Sequence, residues 1–350
     1  MNSLKINGST SYDVIIQNNI LYRAGNISRD KLGGCKAFII SDRNVGALYL
    51  SVVIESFRNA GYDVYSSIFQ PGEAAKSFEN YEYLLTQLIE AELDRSDVVV
   101  ALGGGVIGDL SGFAAATFKR GLRLVQIPTS LLACVDSSVG GKTAINLINF
   151  KNQVGAFYNP SLVILDPSVI HTQDFTDLQD GYAEIIKYGI LSGNSIIDEL
   201  RTAIDTNDFT NTIVQAIEIK KNFVESDERD KGSRQFLNLG HLIGHAIESY
   251  EDYTISHGHA VAYGLAIETR ACALSGLTSF STYNAIIDIL TEFEFPIDVS
   301  YSVRDLMTFI NYDKRLKGGE IELIVPRALG DCYMSPMNLH QVETLIGLAL

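Results

Sequence analysis

Asp97-Val98-Val99-Val100-Ala101-Leu102-Gly103-Gly104-Gly105-Val106-Ile107-Gly108-Asp109 is the stretch on which the fold turns. Its first half is a short apolar run rich in valine, the pattern of a strand buried on both faces. Its second half stacks three glycines and leads into an apolar helical pattern over 110–118. A plain turn between strand and helix needs one glycine. Three in a row let backbone N–H groups approach a phosphate at the helix N-terminus, because no Cβ stands in the way. The order is GGGxxGD rather than the GxGxxG dinucleotide fingerprint, so the run by itself indicates a phosphate-binding turn and no particular ligand.

The flanks repeat the alternation. Upstream, 12–18 reads as an edge strand and 36–41 as a buried parallel strand ending at Asp42. A helical pattern over 44–60 stops at Gly61, 62–69 is a strand, and the loop 71–77 feeds a helix over 78–90. Downstream, 122–127 and 161–166 are strands. Strand and helix in alternation predict an open α/β sheet with a nucleotide site at the carboxyl edge of its strands. Asp42 suits a ribose hydroxyl and a helix N-cap equally well. A second Gly-rich loop spans 135–143. Its tail, Gly140-Gly141-Lys142-Thr143, is not a P-loop: the position five before Gly141 is Asp136, so the GxxxxGK[ST] spacing fails and ATP hydrolysis is not expected.

The chain has 350 residues, enough for two domains with substantial cores. A net charge of −15 argues against nucleic acid or an anionic membrane as partner. Cys35, Cys134, Cys272 and Cys332 are widely spaced, which suits a reduced, cytoplasmic protein. The first residues contain no apolar segment of the signal-peptide kind, and no run approaches a membrane span. After Asp166 strand patterns give way to helical ones, over 179–190, 194–204, 211–225, 234–248, 257–274, 282–294, 302–310 and 339–349, with extended segments only near 321–325 and 332–334. The expected organisation is an α/β nucleotide-binding domain over 1–170 and a mainly α-helical domain over 171–350, with the active site in the cleft between them.

In the second half, His241 and His245 are four apart, so a helix puts both imidazoles on one face. His257 and His259 follow, and Gly240, Gly244 and Gly258 sit beside the histidines. Glycine costs a helix about 0.8–1.0 kcal/mol relative to alanine. Two within one helical pattern imply close approach of a ligand or of another backbone. Glu184 and Lys187 lie three apart in an apolar helix, Ala183-Glu184-Ile185-Ile186-Lys187-Tyr188. A surface ion pair is the plain reading of such spacing, but these neighbours imply burial, and a buried carboxylate needs a cation. Glu184 with His241 and His257 would make a His₂Glu set with an open position, as in catalytic zinc sites. Arg120, Lys142, Lys187, Lys220, Arg234 and Lys314 each fall in or near one of these stretches. Gathered in one cleft, they would require an anion, and a substrate bearing phosphate and carboxylate fits.

Several of these stretches together resemble the 3-dehydroquinate synthase family. They are Gly-Gly-Gly-Val-Ile-Gly-Asp at 103–109, Val-Asp-Ser-Ser-Val-Gly-Gly-Lys-Thr at 135–143, Ala-Glu-Ile-Ile-Lys-Tyr-Gly at 183–189 and Asn-Leu-Gly-His-Leu-Ile-Gly-His-Ala-Ile-Glu at 238–248. His-Gly at 257–258 and Asp-Lys-Arg-Leu-Lys-Gly-Gly at 313–319 continue the series. The resemblance implies the dehydroquinate synthase-like fold and a lyase of the shikimate pathway to aromatic amino acids. Its substrate would be 3-deoxy-D-arabino-heptulosonate 7-phosphate and its products 3-dehydroquinate and phosphate. The implied course is transient NAD-dependent oxidation at C5, β-elimination of phosphate, re-reduction and intramolecular aldol closure. Glu184, His241 and His257 would hold a divalent metal, zinc or else cobalt. Gly103, Gly104, Gly105 and Asp109 would bind NAD with Asp42, Glu73, Lys76, Thr129, Ser130, Lys151 and Thr172, and with Asp136 and Lys142 at the edge of that site. Lys142, Asn152, Asn238, His245 and Lys314 would hold the phosphate, with Arg120 supplied across a homodimer interface. Lys187, Lys220 and Arg234 would take the carboxylate side, Asp136 would lie near the metal-bound hydroxyls, and His245 would shuttle protons near the phosphate.

Three positions depart from the family pattern: His259 where Glu is common, Leu242 where Thr is common, and Cys134 where Gln is frequent. None replaces an implied metal ligand or anion-binding residue. His259 is a possible competing ligand, though it is expected to point away. Other readings remain: another sugar phosphate cyclase, a metal-dependent polyol dehydrogenase of the same fold, or a NAD-binding module without catalysis.

Overall fold

The structure is a computed structural model that describes residues 2–148, 150–297, 301–313 and 315–350. It contains two compact units, Met1–Asp174 with Asp208–Glu228, and Phe175–Asn207 with Arg229–Leu350.

The first unit holds strands β1 (Asn2–Ile6), β2 (Tyr12–Ile16), β3 (Lys36–Asp42), β4 (Asp63–Phe69), β5 (Val98–Gly103), β6 (Arg123–Pro128), β7 (Lys142–Leu147), β8 (Phe150–Phe157) and β9 (Leu162–Leu165). Seven of them form one sheet in the order β1-β2-β9-β6-β5-β3-β4, parallel except for the β1–β2 pair. All six residues of β5 are buried. Alternate side chains serve opposite faces, as the pleat requires. Val98, Val100 and Leu102 pack with Ala24, Ile27, Val53 and Phe57. Val99 and Ala101 pack with Leu84, Leu88, Leu110 and Phe113. Each large apolar side chain so buried contributes about 1.5–3 kcal/mol. Helices on both faces explain why β5 reads as continuous valine rather than as an alternating pattern.

From β3 the chain crosses to β4 on one side and then returns to β5 on the other. The order reverses between β3 and β5, and ligands of open α/β sheets bind outside the carboxyl ends of strands at such a point. Asp42 ends β3 and Gly103 ends β5.

Three features of this unit differ from the sequence reading. The strand at Tyr12–Ile16 is internal, because the polar segment Asn2–Ile6 pairs outside it. β1 has a single buried residue, Ile6, and so shows no apolar alternation to detect. Strands β7 and β8 form a hairpin that starts inside the Gly-rich loop at 135–143 and continues past it, where the sequence suggests no element. The helix Thr210–Ser226 belongs to this unit although it lies beyond 170. It is tied there by Lys220 Nζ on the Asp136 carbonyl (2.7 Å) and by Glu225 accepting the Asn7 N–H (2.7 Å).

The second unit is helical. Its longest helices are Phe175–Ser192 and His257–Leu274, joined by Ser195–Thr206, His241–Tyr250, Phe280–Glu292, Val303–Ile310 and Leu339–Ala349. An antiparallel hairpin, β10 (Glu320–Ala328) with β11 (Asp331–Asn338), packs Ile321, Leu323 and Val325 onto Ile243, Ile247, Ala271 and Ile346. The helical pattern read over 234–248 is broken. Ser233–Asn238 is a 3-10 turn, and Gly240 at φ 75° separates it from helix His241–Tyr250. The glycines beside the histidines serve backbone approach. A Cβ on Gly244 would stand 2.9 Å from the Ala260 carbonyl oxygen, and one on Gly258 would collide with the Asp180 backbone.

Candidate metal and nucleotide sites

Helix Phe175–Ser192 buries an unbroken run from Gly181 to Leu191. Glu184 lies on this run with no exposed surface. Lys187, one turn on, forms a close ion pair with Glu184 Oε2. His241 opens its helix and directs Nε2 at Glu184 Oε1, 3.3 Å away. His257 opens the next long helix with Nε2 3.5 Å from the same oxygen. His245 follows His241 by one turn, with ring centroids 5.3 Å apart. One ligand atom from each of Glu184, His241 and His257 lies within 4.8 Å of the others.

The protonation states suit a cation. Burial, reinforced by Lys187, pushes the His241 imidazole below its usual value, with Glu184 opposing. Burial holds His245 well below it. Both are neutral near pH 7 and keep a lone pair. Burial alone would raise the Glu184 carboxyl, but Lys187 and the two imidazoles overcome it and hold the group well below the usual carboxylate range. Neither Glu184 oxygen makes a hydrogen bond of proper geometry to a protein group. Nδ1 of His241 meets the Leu239 carbonyl at 3.0 Å, and Nδ1 of His257 meets Glu248 Oε1 at 3.3 Å. With Nδ1 occupied on both rings, Nε2 is the nitrogen offered to a metal. A buried anion whose Oε2 meets Lys187 and whose Oε1 faces two such nitrogens fits a divalent ion of the zinc class.

Of the other residues singled out in this unit, Arg234 and Asn238 sit on the turn before His241. Arg234 is buried, and Asn238 donates Nδ2 to the Gln235 carbonyl at 3.1 Å. Lys314 lies outside the described residues. His259 directs Nδ1 to Ser256 Oγ (2.8 Å) and toward Asp180 (3.4 Å). It belongs to neither group of described residues able to hold an ion. Leu242 is part of the apolar core.

The first unit gathers a polar network beside the glycine turn. Lys76 Nζ binds Asp109 Oδ2 at 2.6 Å, touches Asn152 Oδ1, and lies 3.4 Å from Glu73. Lys151 reaches Glu73 at 3.7 Å, and Asn146 donates to Glu73 at 2.9 Å. Helix Gly105–Thr117 starts from Gly104 without a side-chain cap, so its first N–H groups remain for a ligand. The Thr129 N–H binds the Gly103 carbonyl at 3.1 Å, and Ser130 Oγ lies against Gly104. Thr172 bonds Tyr49 at 2.8 Å. Asp42 is the N-cap of the turn that follows it, Oδ1 accepting the Asn44 and Val45 N–H groups. Asp136 sits in a π-turn, Ala133–Ser137, a geometry frequent at functional sites, and receives Lys220 Nζ at 2.8 Å. Lys142 begins β7 with its side chain exposed. Cys134 in the same π-turn is buried, and burial raises its thiol.

Asn152 is thus engaged by Lys76 rather than standing open. Arg120 is apart from this network, in a shallow surface hollow with Asp94, Arg95, Ser96 and Lys119. It is held at φ 67°, directly after Lys119 at φ 49°. Glu248, Asn146 and Asp180 are not among the residues that the sequence singles out. Glu248 had a signal, the i, i+3 step from His245 on one helix face. Asn146 had none.

Residues 66–180 match the N-terminal 3-dehydroquinate synthase model and residues 181–316 the C-terminal one. The chain belongs to the 3-dehydroquinate synthase family. It is 38% identical over 339 residues to the 3-dehydroquinate synthase of Clostridium beijerinckii, covering 95% of this chain and 97% of that protein. Among solved structures it resembles 2-deoxy-scyllo-inosose synthase complexed with carbaglucose-6-phosphate, NAD+ and Co2+ (TM-score 0.87, 23% identity, 100% of both chains). It equally resembles the 2-epi-5-epi-valiolone synthase ValA of Streptomyces hygroscopicus with NAD+ and Zn2+ bound (TM-score 0.87, 22% identity, 99% of both chains). The α/β unit followed by a helical one is the dehydroquinate synthase-like fold, as the sequence reading expected.

Proposed function

We propose that this family member is a 3-dehydroquinate synthase, converting 3-deoxy-D-arabino-heptulosonate 7-phosphate to 3-dehydroquinate and phosphate with NAD and a divalent metal. The observation that supports it best is the buried Glu184 carboxylate facing two Nδ1-anchored imidazoles. Glu184, His241 and His257 are assigned to the metal, which when bound would supply Lewis-acid stabilisation of negative charge on oxygen. NAD held at the glycine turn would supply reversible hydride chemistry, with no net change of redox state.

The protein's own groups do the rest. The capless helix after Gly103–Gly105 is assigned to the pyrophosphate, with Asp109, Lys76 and Glu73 ordering the rim. Lys187 and Arg234, both buried, supply fixed positive charge for the substrate carboxylate. Lys220 orients Asp136 at the hydroxyl side. His245, one turn after His241, is assigned to shuttling protons beside the phosphate. Lys142, Asn152, Asn238 and Lys314 are assigned to the phosphate.

Zinc is the proposed resident ion. A homodimer, in which Arg120 serves the partner's site, and a cytoplasmic setting complete the proposal. Four free cysteines support the reducing compartment. Among the described residues no helix is long and apolar enough to cross a membrane.

The test is direct. Purified protein with zinc, NAD+ and the heptulosonate phosphate should release inorganic phosphate with no net NADH. Accumulating NADH would mean a dehydrogenase. Turnover of glucose 6-phosphate or sedoheptulose 7-phosphate instead would mean another sugar phosphate cyclase.

A further inference from the structure

We infer that Glu248 is a positioning residue for the metal: its buried carboxylate accepts the Nδ1–H of His257 and so fixes the tautomer whose Nε2 faces Glu184. The inference rests on the reading of Glu184, His241 and His257 as metal ligands. Glu248 is 2% exposed, and its Oε1 stands 3.3 Å from His257 Nδ1. The opposite nitrogen of the same ring lies 3.5 Å from Glu184 Oε1. The imidazole is therefore held between two carboxylates, one on helix Phe175–Ser192 and one on helix His241–Tyr250.

His241 shows the same division of labour with a weaker partner. Its Nδ1 meets a neutral backbone carbonyl, that of Leu239. An anionic acceptor makes a stronger hydrogen bond than a neutral one and raises the basicity of the distant nitrogen. His257 is the one of the two imidazoles whose Nδ1 meets a carboxylate, at 3.3 Å against 3.0 Å for the carbonyl at His241. Its geometry is also the more dependent on a side chain, since it follows the turn over 251–256 and does not share a helix with His241. Glu248 is seven residues after His241 and three after His245, so one helix face carries a ligand, a base and the orienting carboxylate.

A competing arrangement is visible. His245, Glu248 and His257 also bring ligand atoms within 4.8 Å of one another, so an ion could in principle sit there and take Nδ1 of His257. The position of His241 favours the first arrangement. Its Nδ1 is tied to Leu239, and its Nε2 points at Glu184, whose carboxylate would otherwise lie buried without a cation beyond Lys187.

Zinc titration of the full-length apoprotein against a chromophoric chelator, with 15N-histidine NMR, tests this. Wild type should bind one equivalent, with His257 protonated at Nδ1 before metal is added. Glu248→Gln keeps the shape and loses the charge, and Glu248→Ala loses the acceptor. Zinc affinity should fall about 10- to 100-fold, further in Ala than in Gln, and the Ala variant should show His257 protonated at Nε2. Glu248→Gln carries the test alone if the Ala variant does not fold, as judged by circular dichroism. Affinities within twofold of wild type in the folded variants, or two zinc equivalents in wild type, would overturn the role of Glu248 and leave the metal reading standing. Wild type that binds no zinc would overturn both.

Discussion

Replacing Lys187 with methionine should destabilise the metal-free protein far more than the zinc-loaded one. Lys187 is 1% exposed and pairs with Glu184, which has no exposed surface. Methionine preserves most of the volume and removes the charge. Glu184 then keeps a buried negative charge facing the His241 and His257 imidazoles, and breaking a buried pair in this way costs about 3–5 kcal/mol. Bound zinc supplies a second compensating charge at the same carboxylate, so with metal present the difference between variant and wild type should shrink.

The pH dependence has a definite sign. In wild type the folded Glu184 carboxyl is held well below its ordinary value of 4.5. A depressed carboxylate contributes stability above its unfolded pKa and loses it as pH falls through the folded one. In the variant, burial is no longer opposed by Lys187, and the carboxyl protonates more readily. The gap between the two proteins should therefore be widest near neutrality and close as pH falls below about 5. The assay is urea unfolding followed by far-UV circular dichroism, with EDTA and with zinc; the chain has no tryptophan to report. An equal destabilisation with EDTA and with zinc would refute the reasoning, because it would mean that the ion does not share Glu184 with Lys187.

Three further outcomes are expected. His241→Ala should abolish zinc binding while the circular dichroism spectrum persists; wild-type turnover in that variant would contradict the assignment. Asp180 accepts the Gly258 N–H at 2.9 Å and the Ser256 hydroxyl at 2.5 Å, tying the start of helix His257–Leu274 to the helix that carries Glu184. Asp180→Ala should cost about 1–2 kcal/mol, as the loss of a helix cap does, measured by the same urea unfolding. Glu268 is 1% exposed, and burial, opposed by Arg315, raises its carboxyl to about 8. Between its ordinary value and about 8, only the unfolded chain releases this proton, so the group costs stability progressively across that window. Glu268→Gln should match wild type at pH 4 and exceed it at pH 8; a difference independent of pH would dismiss the burial argument.

Much of the architecture was legible because its signals are local. The valine-rich apolar run ending at Gly103 has the length and composition of a strand covered on both faces, and the i, i+4 step from His241 to His245 holds on any helix. The hairpin β10–β11 and the last helix, Leu339–Ala349, were readable for the same reason. Where the local signal was weak, the reading failed. β1 buries one residue, and β8 buries none fully, so neither shows alternation. The helix Thr210–Ser226 reads correctly as a helix, but nothing in its periodicity says which unit it joins. That depends on Lys220 finding Asp136 and Glu225 finding Asn7.

The order of residues alone determined that this chain has a parallel sheet with a glycine turn at the end of β5, a helical second half, and imidazoles able to share one helix face. These follow from backbone sterics and side-chain period, which act over a few residues. The tertiary structure alone decided which atoms meet. It placed Glu184 Oε1 between two Nε2 atoms, occupied each Nδ1 with a different acceptor, and packed Gly244 and Gly258 against other backbones instead of a ligand. Except for Leu239 beside His241, these encounters join residues of different helices. They are governed by which buried charges and polar atoms must find partners once water is excluded.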